Sequence, residues 1–427
     1  MKSKAVVAAL TGVGLVLSLA ACGQGGGSDE PTTLTIWHNS ADTPALTDLY
    51  HRFEAESGIT VDLVDIPSDA FEATTTTKWA TGDRPDILEY HPTRSALLPL
   101  NPAQNMQDLT GMDFIAKSGT LYDAMGSVDG KVYAAITGFP SIFGIYYNKQ
   151  VFADRGLTPP RSFADLDNAC SALAGSGVAP MFESGGSAWP TQILPLLYVA
   201  DANKGDTYGT ALASNKKPLT EPGAPFIKGL TAYTALRDKG CFNADATSAT
   251  FENALAAVFS GSAAMTALHS DAYVALLAAA GGDAAALDKA VGFVPVSATA
   301  PVAAYASGPL GTYYAPKTGN EAREKAARDF IEFATGVGYQ ALVNAGPSFP
   351  VIDGADTPSG FSALQLSFKD AYDQGATVAV NSNVAGFGGF ATETNKLLAG
   401  QTTPAEVAES MQGQVEQASQ AAGLPGW

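Results

Sequence analysis

Short apolar runs alternate with amphipathic stretches from residue 34 onward. Residues 34–37 form a β-prone run. Thr43 and Pro44 then supply an N-cap and a first helical residue, Leu46, Leu49 and Phe53 recur at helical spacing, and Gly58 stops the helix. Residues 59–66 return to strand character, with Ile59, Val61 and Leu63 alternating against Thr60 and Asp62. A second helix is expected over 69–81, although four consecutive threonines lower its propensity, and 85–90 reads as a third strand. This alternation predicts α/β layers around a mainly parallel sheet.

The middle and end of the chain repeat the pattern. Ser162 and Asp165 make a capping-box-like start for a helix to about 174, and Phe251, Leu255, Val258 and Phe259 mark another that Gly261 ends, followed by a short strand over 263–268. Pro159-Pro160, Gly185-Gly186 and Gly281-Gly282 are turns. Residues 321–335 are amphipathic through Ala326, Phe330 and Phe333, and a last helix opens at Thr403-Pro404 and carries Val407, Met411 and Val415. No internal repeat is visible.

The first residues stand apart from this periodicity. Lys2 and Lys4 precede an apolar run over 5–19, too short and too alanine-rich to span a bilayer comfortably, which reads as a signal segment over 1–21. Leu19-Ala20-Ala21-Cys22-Gly23 resembles the lipobox of bacterial lipoproteins, where cleavage leaves Cys22 as a lipidated first residue. An ordinary cleavable signal with a chance cysteine is the alternative. Residues 22–31 then form a Gly-rich tether. The expected location is the outer face of the bacterial cell membrane, reached by export.

With 427 residues, 46% hydrophobic and 15% charged, the chain has enough apolar material for a packed core and a length suited to two domains. The 24 basic against 42 acidic residues exclude a partner bound by phosphate neutralisation, so nucleic acid is not expected. Once Lys2 and Lys4 are removed the imbalance grows, and only a lipid, not charge, can hold the chain to an anionic bilayer. Export also permits oxidation of Cys170 and Cys241. Cys170 shares an apolar helix stripe with Phe163, Leu166 and Leu173, which leaves a disulfide and a buried free thiol both open.

Catalytic and cofactor motifs have little support. There is no Gly-x-Ser-x-Gly elbow, Gly130-Lys131 is followed by Val132 rather than Ser or Thr, and the four histidines are isolated from one another and from Cys pairs. The run from Gly386 to Ala391 matches a dinucleotide loop in letters but opens no βαβ unit and has no acidic residue about 20 positions on in a strand context. No cofactor and no metal are expected. What stands out is Trp37-His38-Asn39-Ser40 after the first strand, Glu89-Tyr90-His91 at the end of the third, and Ser184-Gly185-Gly186-Ser187-Ala188-Trp189-Pro190 in mid-chain. Strand ends are where open α/β sheets bind ligands, and a sugar offers C–H faces to aromatic rings and hydroxyls to amides, carboxylates and imidazoles. Taken singly, a Trp can equally be core and a strand-end Asn or His a cap.

Leu34-Thr35-Ile36-Trp37, Phe53-Glu54-Ala55-Glu56-Ser57-Gly58-Ile59-Thr60-Val61, Gly82-Asp83-Arg84-Pro85-Asp86-Ile87-Leu88 and Gly144-Ile145-Tyr146-Tyr147-Asn148-Lys149 resemble the extracellular solute-binding proteins of ABC sugar importers, the class that includes the maltose-binding protein. Phe251-Glu252-Asn253-Ala254 through Gly261-Ser262-Ala263-Ala264-Met265 extends the resemblance, which spans residues 32 to 420. It implies an α/β fold of two lobes, 32–143 plus 307–352 and 144–306 plus 353–427, with crossings near 143–147, 303–307 and 352–360. A small carbohydrate would be clasped between them and delivered to ABC permease subunits by a monomeric, non-enzymatic receptor. The family's ligand positions fall on His38, Asn39 and Ser40, on Glu89, Tyr90 and Arg94, on Ser141 or Phe143 at a crossing, and in the second lobe on Glu183, Trp189, His269, Asp271 and Phe387. An aromatic common near Asp271 in oligosaccharide binders is missing, and Gly185-Gly186-Ser187 replaces a bulkier stretch, which favours a mono- or disaccharide. The competing readings are a polyamine or peptide receptor, for which Glu89, Glu183 and Asp271 would have to converge, and a surface glycoside hydrolase with Glu183 and Asp271 as its carboxyl pair.

Overall fold

The structure, a computed structural model, describes residues 33–67, 70–346, 348–424 and 426–427. The signal segment, Cys22 and the tether lie outside the described residues.

The first sheet is built from β1 (Thr33–Asn39), β2 (Thr60–Ile66) and β3 (Ile87–Glu89), with β1 central and parallel to both. Helix Pro44–Ser57 joins β1 to β2, buries Leu46, Leu49 and Phe53 as its spacing predicts, and ends at Gly58 in the left-handed conformation that glycine tolerates. Helix Phe71–Ala80 follows β2. After a small hairpin of β4 (Ser127–Val128) and β5 (Lys131–Val132), β6 (Ala134–Ile136) returns to the first sheet. The chain then leaves it, because the next strand, β7 (Ser141–Asn148), is the centre of a second sheet.

There β7 pairs antiparallel with β8 (Met265–His269) on one side and with β9 (Val291–Val294) and β10 (Ala304–Ala306) on the other. From β10 the chain recrosses to β11 (Thr312–Tyr314), which lies antiparallel between β3 and β6. A third passage, after helix Tyr339–Ala345, leads to helix Ala363–Asp373 and β12 (Thr377–Val378), parallel to β10. The passages are therefore residues 137–140, 307–311 and 346–362; residues 143–147 lie within β7. Phe139 in the passage and Ile142, Phe143 and Ile145 in β7 are alike apolar, which hid the boundary.

Each sheet has one reversed strand, β11 in the first and β7 in the second, and each is the strand that begins straight after a crossing. All the others run towards the crossings. The carboxyl ends of β1 and β3 in one lobe and of β8 and β10 in the other consequently share that side, the position where α/β sheets bind ligands.

One core fills the first lobe and continues onto the β7 face that carries Ile142 and Tyr146. A second covers the opposite face, with Phe143 and Ile145. Within it Cys170, on helix Phe163–Leu173, and Cys241 are joined as a disulfide with Cα atoms 5.4 Å apart, which decides the alternative left open by the sequence.

Candidate functional site

In the first lobe, His38 is the next-to-last residue of β1, with its ring wedged between two carboxylates: Nδ1 lies 3.1 Å from Asp42 Oδ2 and Nε2 lies 3.1 Å from Asp65 Oδ1. Burial works to lower its pKa, but the hydrogen bond and charge of Asp42, joined by Asp65, outweigh it and hold the imidazole above its ordinary value. Asn39 is buried and Ser40 exposed. Asp42 also accepts the Tyr50 hydroxyl at 2.9 Å. Its spacing of four from His38 was the available signal for this pairing.

Three further residues expected here sit differently. Glu89 is 0% exposed, and both its oxygens are taken by main-chain donors, Asn39 N at 2.9 Å and Gly311 N at 2.7 Å. Burial, then the charge of Asp42, pushes its carboxyl well above the usual carboxylate range. Tyr90 is buried behind the strand end against Phe71 and His91, where burial and then Glu72 push its hydroxyl up to about 12. Arg94 is half-exposed and donates its main-chain N–H to Asn383 Oδ1 of the second lobe at 3.3 Å.

The second lobe gathers its residues more closely. Trp189 lies 4.8 Å from His269 and 5.3 Å from Phe251, ring centre to ring centre. His269 ends β8 and opposes Phe143 across the β7–β8 register, and Asp271, largely exposed, accepts the Ser141 hydroxyl. Burial lowers the His269 pKa against the opposing charge of Asp271, which favours a neutral ring beside the indole.

The turn that presents Trp189 is tightly specified. A Cβ on Gly185 would come 2.7 Å from Ala246 O, and one on Gly186 would come 2.4 Å from Ser248 O, so only glycine lets this loop lie against residues 246–249. Ala188 then takes φ 58° and ψ −59°, a sparsely populated conformation for a residue with a side chain, directly before the indole. Phe251 N donates to Ser187 Oγ and completes the anchoring.

Glu183 and Phe387 are not brought to this group. Glu183 is 2% exposed beneath the loop; burial pushes its carboxyl up to about 8, against the Tyr233 hydroxyl and Ser184 N–H. Phe387 packs inside the second core on Phe226 and Phe390. Sequence reasoning missed Asn383, which reaches the first lobe twice, at Arg94 N and at Ala124 O (2.9 Å), and Ser382, whose carbonyl accepts the Ser95 hydroxyl at 2.9 Å. No motif marked them, because the partners are 259 to 289 positions away.

The two groups meet at the crossings. Glu89 ties Asn39 to Gly311, β10 Ala306 pairs with β7 Ser141, and Ser141 bonds Asp271. Among the described residues no cluster of His, Cys, Asp or Glu is arranged to hold a metal, and no helix is long and apolar enough to cross a membrane.

The sequence profile described as bacterial extracellular solute-binding protein matches residues 37–341. The chain belongs to that family. This solute-binding protein is thus a receptor and not an enzyme. Its fold is shared with a chitin oligosaccharide binding protein (22% identity, TM-score 0.72, covering 92% of this chain and 100% of that one). It is likewise shared with RafE of Streptococcus pneumoniae (20%, 0.74, 93% and 99%) and with the binding protein MsmE of Bacillus subtilis in an open conformation (17%, 0.74, 93% and 100%). No curated protein matches the chain in sequence.

Proposed function

We propose that this receptor captures a small carbohydrate between its lobes and hands it to the permease subunits of an ABC importer. Residues 137–140, 307–311 and 346–362 serve as the hinge. The observation that carries the reading is the Trp189 indole, packed on the His269 imidazole at a strand end and bordered by Asp271 and Ser141, which offers a sugar both a ring face and polar partners. In this reading His38, Asn39 and Ser40, at the carboxyl end of β1, form the first lobe's side of the cleft. Support also comes from relatives in fold, one a chitin oligosaccharide binding protein and one, RafE, in complex with raffinose. A polyamine is disfavoured, because Glu89 and Glu183 are buried and only Asp271 of the three carboxyls remains exposed. The same burial removes the carboxyl pair a glycosidase needs. The receptor acts as a monomer, held to the outer face of the membrane by lipid on Cys22.

A thermal-shift panel of mono- and disaccharides, raffinose, stachyose, chitin oligosaccharides and spermidine tests this reading. A ligand present at 100 times its Kd adds about 2.7 kcal/mol of stability. Stabilisation by spermidine with no response to any sugar would overturn it.

A further inference from the structure

Glu89 occupies a place where three parts of the molecule meet. Its Oε2 accepts the Asn39 N–H in the loop after β1, and its Oε1 accepts the Gly311 N–H at the end of the second crossing. Gly311 O in turn accepts both the main-chain N–H and the hydroxyl of Thr137, on the first crossing, at 2.9 and 2.8 Å. A Cβ on Gly311 would come 2.7 Å from that hydroxyl oxygen, so the crossings touch at a residue that must be glycine. Thr137 O accepts the Tyr339 hydroxyl at 3.1 Å, and that hydroxyl accepts the N–H of Val351, on the third crossing, at 2.8 Å. One hydrogen-bonded path therefore runs from Asn39 through Glu89, Gly311, Thr137 and Tyr339 to Val351.

We propose that Glu89 is a positioning residue that transmits the position of the solute-facing loop to all three crossings, making them turn as a single hinge. The inference rests on the reading of residues 38–40 as solute-facing. Glu89 touches no solute; being fully buried, it acts through Asn39 and Gly311. A carboxyl group suits this place because each of its two oxygens accepts one main-chain N–H, and the proton that its raised pKa keeps on it is hydrogen-bonded to Asp42. An amide has a single acceptor oxygen, and its NH2 group would face an N–H.

Glu89→Gln is therefore the diagnostic change, studied first in the solute-free protein. Hydrogen exchange at Asn39 or Gly311 should accelerate by about tenfold or more, as expected when one buried hydrogen bond is lost. The distance distribution between spin labels on exposed Ala55→Cys and Glu409→Cys, one in each lobe, should broaden at the same time. Tyr339→Phe, which keeps Glu89 and removes the hydroxyl that links Thr137 O to Val351 N, should broaden the distances while leaving exchange at Asn39 unchanged; it carries the test if Glu89→Gln does not fold. Faster exchange with an unchanged distance distribution would reduce Glu89 to a local brace and overturn the coupling, as would unchanged exchange. Neither readout needs a sugar, so failure of the carbohydrate panel would count against the proposed substrate and leave this result standing.

Discussion

The indole of Trp189 and the imidazole of His269 lie 4.8 Å apart with their planes inclined by 35°, although 80 residues of chain separate them. One arrives on a turn pressed into place by Gly185 and Gly186, the other at the carboxyl end of β8. Burial keeps the imidazole neutral at ordinary pH, so the pair presents ring surface rather than charge.

Trp189→Ala should weaken sugar binding by roughly 10 to 100 fold, the equivalent of losing one stacked ring. Because the indole also packs on Phe251 and borders both cores, the substitution should cost about 1 to 2 kcal/mol of solute-free stability, less than a fully buried Trp would. Titration calorimetry and urea melts measure the two effects separately. A variant that binds normally would remove Trp189 from the site.

The strand ends were legible in the sequence because period-2 alternation and Gly or Pro punctuation mark them locally, as at residues 59–66 and Gly58. Helix Pro44–Ser57 followed from Leu46, Leu49 and Phe53 alone. The inward turn of Glu89 and Tyr90 was not legible. Both stand at a strand end beside polar neighbours, and only the arrival of β11, more than 220 residues later, supplies Gly311 N and the cover that buries them. Glu183 misled for a related reason: a carboxylate before a Gly-rich turn looks exposed until helix Pro225–Asp238 brings Tyr233 against it. Long-range partners decide such sites, and local pattern carries no trace of them.

The Cys170–Cys241 disulfide closes a loop of 71 residues in the second lobe. Constraining a loop of that length in the unfolded chain contributes up to roughly 4 kcal/mol. Reductant should lower the urea midpoint of the parent protein and leave that of a Cys170→Ala, Cys241→Ala variant unchanged. Equal midpoints for the parent with and without reductant would show that the bond adds nothing.

Anchoring through Cys22 predicts a different kind of outcome. Cys22→Ala should move the protein from the membrane fraction to the medium while leaving sugar binding intact, since every proposed solute-facing residue lies in the part of the chain from Thr33 onward. Retention of the variant at parental levels would refute the lipid anchor.

Glu183 makes stability depend on pH in a direction opposite to that of a salt-bridged carboxylate. Its carboxyl ionises near 4.5 in the unfolded chain but holds its proton to about 8 in the fold, where burial outweighs the help of the Tyr233 hydroxyl and the Ser184 N–H. The folded state therefore binds more protons than the unfolded state between these values, and stability must fall as pH rises through that window. The contribution is complete below about 4.5 and lost by about 8. Glu183→Gln places a neutral group of similar shape in the same pocket and has no proton to lose. Relative to this variant, the parent should lose roughly 1 to 4 kcal/mol between pH 5 and 8, given about 1.4 kcal/mol per pKa unit as the upper slope. Urea denaturation of both proteins at several pH values measures the difference directly. Because the loop from Glu183 to Trp189 rests on this carboxyl, sugar affinity in the parent should decline above pH 8 and stay level in the variant. Parallel stability curves for the two proteins would mean that Glu183 titrates as an ordinary carboxylate and that its burial has no energetic consequence.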